Sequence, residues 1–289
     1  MNQPEHQAPR IPTGRNGVLL ITGSVLIGGL LAMGALGWIG RGGGFSSSGQ
    51  SPTSAHAEVG HGVPVPPAKP AWVSPLQPSC SVQDLDQRQH LQALLVALRT
   101  SPKKVRVDPT NFGERFRRDA FGHAVDPTPR LVVLHETVYG LNSAIQTFTT
   151  AHPKDEDQVS YHALIGEDGT VVQLIDPSKR AFGAGNSAFN GQWVVTNPKV
   201  GGSVNNFALH VSLETPLDGE NDNAGHSGYS SAQYDSLAAL LADWMDRYPI
   251  TLETITTHRA VDLGGERADP RSFNWQALQE RLQNLGLLC

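Results

Sequence analysis

Two histidines and an aspartate, His135, His258 and Asp269, have the types and settings that could gather a metal ion. His135 closes the apolar run Leu131-Val132-Val133-Leu134. His258 closes the short segment Thr254-Ile255-Thr256-Thr257. Asp269 stands on a Gly-containing loop just ahead of a new helix. Two imidazole nitrogens and a carboxylate oxygen suit zinc, and three such donors leave its fourth position open, as in catalytic rather than structural sites. None of the three decides alone. A histidine ending an apolar strand commonly donates to a backbone carbonyl, and Asp before Pro is a common turn residue. The combination carries the case.

Three further residues belong to the candidate chemistry. In Leu209-His210-Val211-Ser212-Leu213-Glu214, strand alternation sets His210, Ser212 and Glu214 on one face. A carboxylate at the end of a central strand is costly unless compensated. A nearby zinc-bound water would compensate Glu214; the other reading is a Glu at the solvent end that caps the Thr215-Pro216 turn. Arg267 lies two residues before Asp269 and could face a substrate oxygen, or be a solvated loop cation. Tyr161 and His162 open a strand, so one points to the cleft and its neighbour away.

The elements that must position these residues follow from periodicity. Ser81-Val82-Gln83-Asp84 reads as a capped helix start, with Leu91, Leu94, Leu95 and Leu98 at helical spacing and Pro102 beyond. Residues 103–130 are polar and read as a surface arm. Asn142 is placed to cap a helix through Ala144, Ile145 and Phe148. Two strands flank Glu167-Asp168-Gly169, a hairpin signal. Residues 207–213 form another strand. Ser230 or Ser231 opens a helix carrying Tyr234, Leu237, Leu241 and Trp244 on one side, and Asn274 opens the last. Strands interleaved with helices give an α/β domain with one central sheet flanked by helices, and the hairpin makes that sheet mixed.

The chain of 289 residues carries 22 Lys and Arg against 27 Asp and Glu, a net charge of −5 with no basic stripe. That argues against nucleic acid as a partner. Residues 1–16 are polar and hold Arg10 and Arg15. Residues 17–40 carry no charge, and at helical rise they would span about 36 Å, enough for a hydrocarbon core of about 30 Å. They read as an uncleaved transmembrane anchor with a cytoplasmic tail at 1–16. The other reading is a signal peptide, whose apolar region is usually only about 7–15 residues long. Residues 41–79, rich in Gly, Ser and Pro, read as a disordered linker. The remainder divides into a helix and arm at 80–130 and a catalytic domain at 131–289. An anchor of this orientation would make a single-pass protein of the bacterial inner membrane with a periplasmic domain. Cys80 and Cys289 are the only cysteines; in an oxidising compartment they would bridge the ends of the domain, and otherwise they are two unpaired thiols.

From about 131 to 280 the chain resembles the zinc-dependent N-acetylmuramoyl-L-alanine amidases, whose fold is shared with the peptidoglycan recognition proteins. The matching segments are Val132-Val133-Leu134-His135, residues 160–170 beginning Ser160-Tyr161-His162, Leu209 to Glu214, Tyr229-Ser230-Ser231-Ala232-Gln233-Tyr234, Thr256-Thr257-His258-Arg259 and Ala268-Asp269-Pro270. The resemblance implies that His135, His258 and Asp269 ligate Zn2+. It implies that Glu214 assists the attacking water and that Arg267 stands where the family has a Lys. Tyr161 is placed to be a second hydrogen-bond donor to the oxyanion. The expected substrate is peptidoglycan or its muropeptides. Two departures matter. Arg for Lys retains charge but alters geometry, and a Trp-His-Ala-Gly pattern reads Phe182-Gly183-Ala184-Gly185 here. A non-catalytic peptidoglycan-binding module and a structural envelope protein are the rival readings. The filled ligand set argues for catalysis over both.

Overall fold

A computed structural model describes residues 64–289. In chain order the elements are α1 (Leu85–Thr100), β1 (Lys103–Lys104), β2 (Phe112–Glu114), β3 (Leu131–Glu136), α2 (Leu141–Thr149), β4 (Ala163–Ile165), β5 (Val171–Gln173), β6 (Lys179–Ala181), β7 (Val194–Asn197), β8 (Gly201–Ser203), β9 (Ala208–Leu213), α3 (Ser231–Arg247), β10 (Ile255–Thr257), α4 (His258–Val261) and α5 (Trp275–Asn284). The main sheet has the order β1-β5-β4-β9-β3-β10. Strands β4, β9, β3 and β10 run parallel, and β5 returns antiparallel to β4. This is the mixed, helix-flanked sheet expected from the sequence. The hairpin turn closes where expected, with Gly169 at φ +82°, a backbone conformation that only glycine adopts without strain.

The continuous apolar run of β3 reflects burial on both faces. Val132 and Leu134 join Leu209, Val211 and Leu213 beneath α1, α3 and α5 in the larger core. Leu131 and Val133 face the other way, with Phe207, Val194, Val204 and Val261. Farther along that second face, Phe148 of α2 packs with Leu164 and Val172. Ser230 caps α3 through a reciprocal box with Gln233, as the sequence allowed.

Four expectations are corrected. Helix α1 starts at Leu85, capped by Asp84 rather than Ser81, because the Asp84 carboxylate accepts from Gln87 N. Asn142 lies inside α2, whose first N–H, that of Leu141, is satisfied by Glu214. Residues 103–130 are not a surface arm. They contribute β1 to the sheet and β2 to a pair with β6, and two of their polar side chains, Asn111 and Arg115, are spent on backbone carbonyls. Asn111 donates to Phe148 O and Thr150 O, and Arg115 to Pro177 O, Asn206 O and Ala208 O. Composition alone hid these buried partners, although much of the segment is exposed.

The fourth correction concerns the linker. Residues 64–79 have no helix or strand, yet they lie on the domain. Leu76 is buried in the main core, Trp72 packs against Trp275, and Lys69 donates to Arg259 O and Asp262 O. A few apolar and cationic side chains suffice to dock a Pro-rich segment that cannot build a core itself. Cys80 and Cys289 form a disulfide with Cα atoms 4.8 Å apart. Among the described residues no helix is long and apolar enough to cross a membrane. The proposed tail at 1–16, anchor at 17–40 and first part of the linker lie outside them.

Candidate metal centre

Strand register brings the candidate ligands together. In the β3–β10 pair, Thr257 lies opposite Leu134, so His258 leaves its strand beside His135. Thr257 then caps α4 by accepting from Ala260 N, which turns the chain at that point. The loop from Arg259 to Asp269 returns to its start, closed by Arg259 N donating to Asp269 O at 3.0 Å. Within it the Asp262 carboxylate accepts from the backbone N–H groups of Gly264, Glu266 and Arg267. A loop organised in this way can deliver a carboxylate to a fixed point.

His135 Nδ1 lies 3.2 Å from Asp269 Oδ2, and His258 Nδ1 lies 3.0 Å from Asp269 Oδ1. One donor atom from each residue falls within 4.8 Å of the others. Burial, and then the neighbouring charge of His258, push the His135 imidazole down to about 4, which keeps it neutral, the form that ligates metal. Burial acts to raise Asp269, but hydrogen bonds from His135 and His258 outweigh it and hold the group below the usual carboxylate range. Two imidazoles and an ionised carboxylate are a zinc donor set, so the residues present fit the group.

The other candidates divide. The Tyr161 ring stacks on His135 at 4.4 Å between centroids. Burial, and then the Asp269 charge, raise its phenol, so it stays a hydrogen-bond donor at neutral pH. Arg267 is exposed on the ligand loop, and its positive charge bears on both His135 and Tyr161. Glu214 differs from its expected setting. Its carboxylate accepts from Leu141 N at the start of α2 and from Glu167 N in the β4–β5 turn, so backbone N–H groups compensate its charge. Replacing Glu214 with Gln should therefore remove one of two acceptors and cost about 1–3 kcal/mol of stability. Urea unfolding of the variant checks this; an unchanged midpoint would show that the two N–H contacts do not stabilise the fold.

Sequence reading missed a second group on the opposite face of β3. Glu136, next to His135, is buried and accepts from Arg271 N and Nε, from His226 and from the Tyr229 hydroxyl. Arg271 also donates to the carbonyls of Gly219, Asn221 and Asn223. The alternation that turns His135 to one side of β3 necessarily turns Glu136 to the other, and that was the available signal.

Residues 125–272, just over half of the chain, match the N-acetylmuramoyl-L-alanine amidase family. The chain belongs to that family. Among the relatives of this amidase-family chain is the 1,6-anhydro-N-acetylmuramyl-L-alanine amidase AmpD of Escherichia coli K12. It is 31% identical over 166 residues, covering 52% of this chain and 80% of that protein. AmpD of Citrobacter freundii is 34% identical over 120 residues, and the match covers 41% of this chain and 54% of that protein. The chain thus spans about half the length of the Citrobacter relative. Among solved structures, a selenomethionine AmpD derivative aligns over 63% of this chain and 94% of its own at 26% identity, with a TM-score of 0.48. AmpDh3 of Pseudomonas aeruginosa, solved in complex with an anhydromuramic pentapeptide, aligns over 60% and 62% at 19% identity, with a TM-score of 0.41.

Proposed function

We propose that the protein is a zinc-dependent hydrolase of the amide between the lactyl carboxyl of N-acetylmuramic acid and L-alanine, in peptidoglycan or its muropeptides. The observation that carries this reading is the convergence of His135 Nδ1, His258 Nδ1 and the Asp269 carboxylate from two strand ends and one pinned loop. Family membership and the names of the relatives support the choice of bond. Zinc held by these three residues would supply Lewis-acid activation of water near neutral pH.

The chain's own groups then have distinct tasks. Tyr161, a phenol beside His135, donates a hydrogen bond to the carbonyl oxygen as it gains charge. Arg267 adds positive charge on the exposed side of the same point. Glu214 holds the start of α2 and the β4–β5 turn against each other and so shapes the site's edge. The Cys80–Cys289 disulfide supports an oxidising, extracytoplasmic setting, and residues 17–40 are proposed to anchor the protein there. The catalytic domain proposed at 131–289 takes in the earlier residues whose strands complete its sheets.

Mass spectrometry of digested peptidoglycan and of soluble anhydromuropeptides tests the proposal. New L-alanine amino termini, lost on chelation and restored by added Zn2+, are the expected result. Cleavage between sugars, or binding without turnover, would overturn it; the latter would make the protein a recognition module.

A further inference from the structure

We infer that His210 is a positioning residue for the metal ligand His135, and that it works only because residue 183 is glycine. This inference rests on the ligand reading proposed above. His210 lies on β9, fully buried, with its Nδ1 2.9 Å from Nε2 of His135. Nδ1 of His135 is the atom that faces Asp269. A neutral imidazole carries one proton, so when Nδ1 of His135 binds metal its proton resides on Nε2 and is donated to His210 Nδ1. Metal-binding histidines usually give this second proton to a carboxylate, carbonyl or water; here a second imidazole accepts it. His210 then carries its own proton on Nε2, a buried atom with no hydrogen-bond partner among the described residues.

The His210 ring has no freedom to turn away. It stacks parallel on His162, 5.9 Å between centroids and 11° between planes. The backbones of the two residues are tied by His162 N donating to His210 O, and His210 N donates to His162 Nδ1. Arg115 Nη2 donates to Ala208 O, two residues earlier on the same strand. On the remaining side is Gly183. A Cβ built there would lie 2.5 Å from both Cγ and Nδ1 of His210, closer than carbon atoms tolerate. Gly183 stands at the position where the Trp-His-Ala-Gly pattern has its His. The chain lacks an imidazole at 183, and β9 sends one into the space that this leaves. Gly183 and His210 therefore form a matched pair, and neither should tolerate substitution alone.

Metal affinity of the full chain tests this with Zn2+ and Co2+ as probes, by chelator competition and by the visible spectrum of the Co2+ form. His258→Ala serves as the ligand control. His210→Gly should weaken binding about 10- to 100-fold and shift the Co2+ bands. Gly183→Ala should reproduce that loss with His210 present and add nothing in the His210→Gly background. His210→Asn, which keeps an acceptor near the Nδ1 position, and the exchange Gly183→His with His210→Gly should each recover most of the affinity. In the zinc-loaded wild type, nitrogen-15 NMR should find the His135 proton on Nε2. Wild-type binding lost in His258→Ala but unchanged in His210→Gly and Gly183→Ala would overturn the inference and leave the ligand reading standing. A wild type that binds no more metal than His258→Ala would overturn both. Should His210→Gly fail to fold, Gly183→Ala and His210→Asn decide in the same way.

Discussion

Chains carrying alanine at His258 or at Asp269 are expected to purify folded, without metal, and without amidase activity. The two residues approach the site along the same loop, one at each end, yet they differ in what else they do. Among the described residues the His258 ring has no hydrogen-bond partner besides Asp269, so its removal should change metal affinity by more than about 100-fold, beyond the range of outer-shell changes, with little effect on the apo fold. Asp269 engages both imidazoles, so Asp269→Ala also leaves His135 Nδ1 buried without its partner and should lower apo stability by about 1–3 kcal/mol. Asp269→Asn keeps the shape and separates the two effects: apo stability largely recovers, and zinc content does not. Metal analysis with urea unfolding on the same samples reads both. Stoichiometric zinc in His258→Ala would remove it from the ligand set.

The second large effect is expected on the far side of β3. Glu136 and Arg271 are a buried ion pair, with side chains 6% and 10% exposed. Breaking such a pair from one side leaves an uncompensated charge and costs about 3–5 kcal/mol. Arg271→Met should reach that range in urea unfolding, because it strands the Glu136 carboxylate and frees the carbonyls of Gly219, Asn221 and Asn223. Arg271→Met combined with Glu136→Gln should be less destabilised than the sum of the singles, since the stranded charge is gone. A loss below about 1 kcal/mol for Arg271→Met would show that water screens the pair and that it is not the strut described here. The pair also has a geometric role. Glu136 follows His135 directly, and Arg271 is two residues beyond Asp269, so one ion pair behind the sheet fastens together the two segments that carry the proposed ligands in front of it.

What the sequence disclosed and what it hid divide along physical lines. Apolar periodicity found α3, α5, β3, β9 and the β4–β5 hairpin, because burial of a face writes a period into the residues. The three proposed metal donors were legible because each ends or follows such an element. Polar residues with buried partners were not legible. Asn111 and Arg115 look like surface residues until the carbonyls they serve are known, and so residues 103–130 were read as an arm. Glu214 shows the same limit from the other side. Alternation placed it on the face shared with His210 and Ser212, but only the tertiary structure reveals that its partners are N–H groups from α2 and the β4–β5 turn, which lie far from it in sequence. The docking of residues 64–79 was hidden because a few anchors, Leu76, Trp72 and Lys69, outweigh a composition that otherwise signals a free linker.

The joining of Cys80 to Cys289 has a mechanical consequence. Ser79 also donates to Leu288 O across the same junction, so the folded body's entry and exit points coincide. A pull applied to the chain ahead of residue 64 would first peel the Pro-rich segment from Trp275 and the Asp262 carbonyl, and would then meet the covalent bond between Cys80 and Cys289. Force passing through that bond bypasses the whole stretch between the two cysteines, β3, β10 and the Arg259–Asp269 loop included.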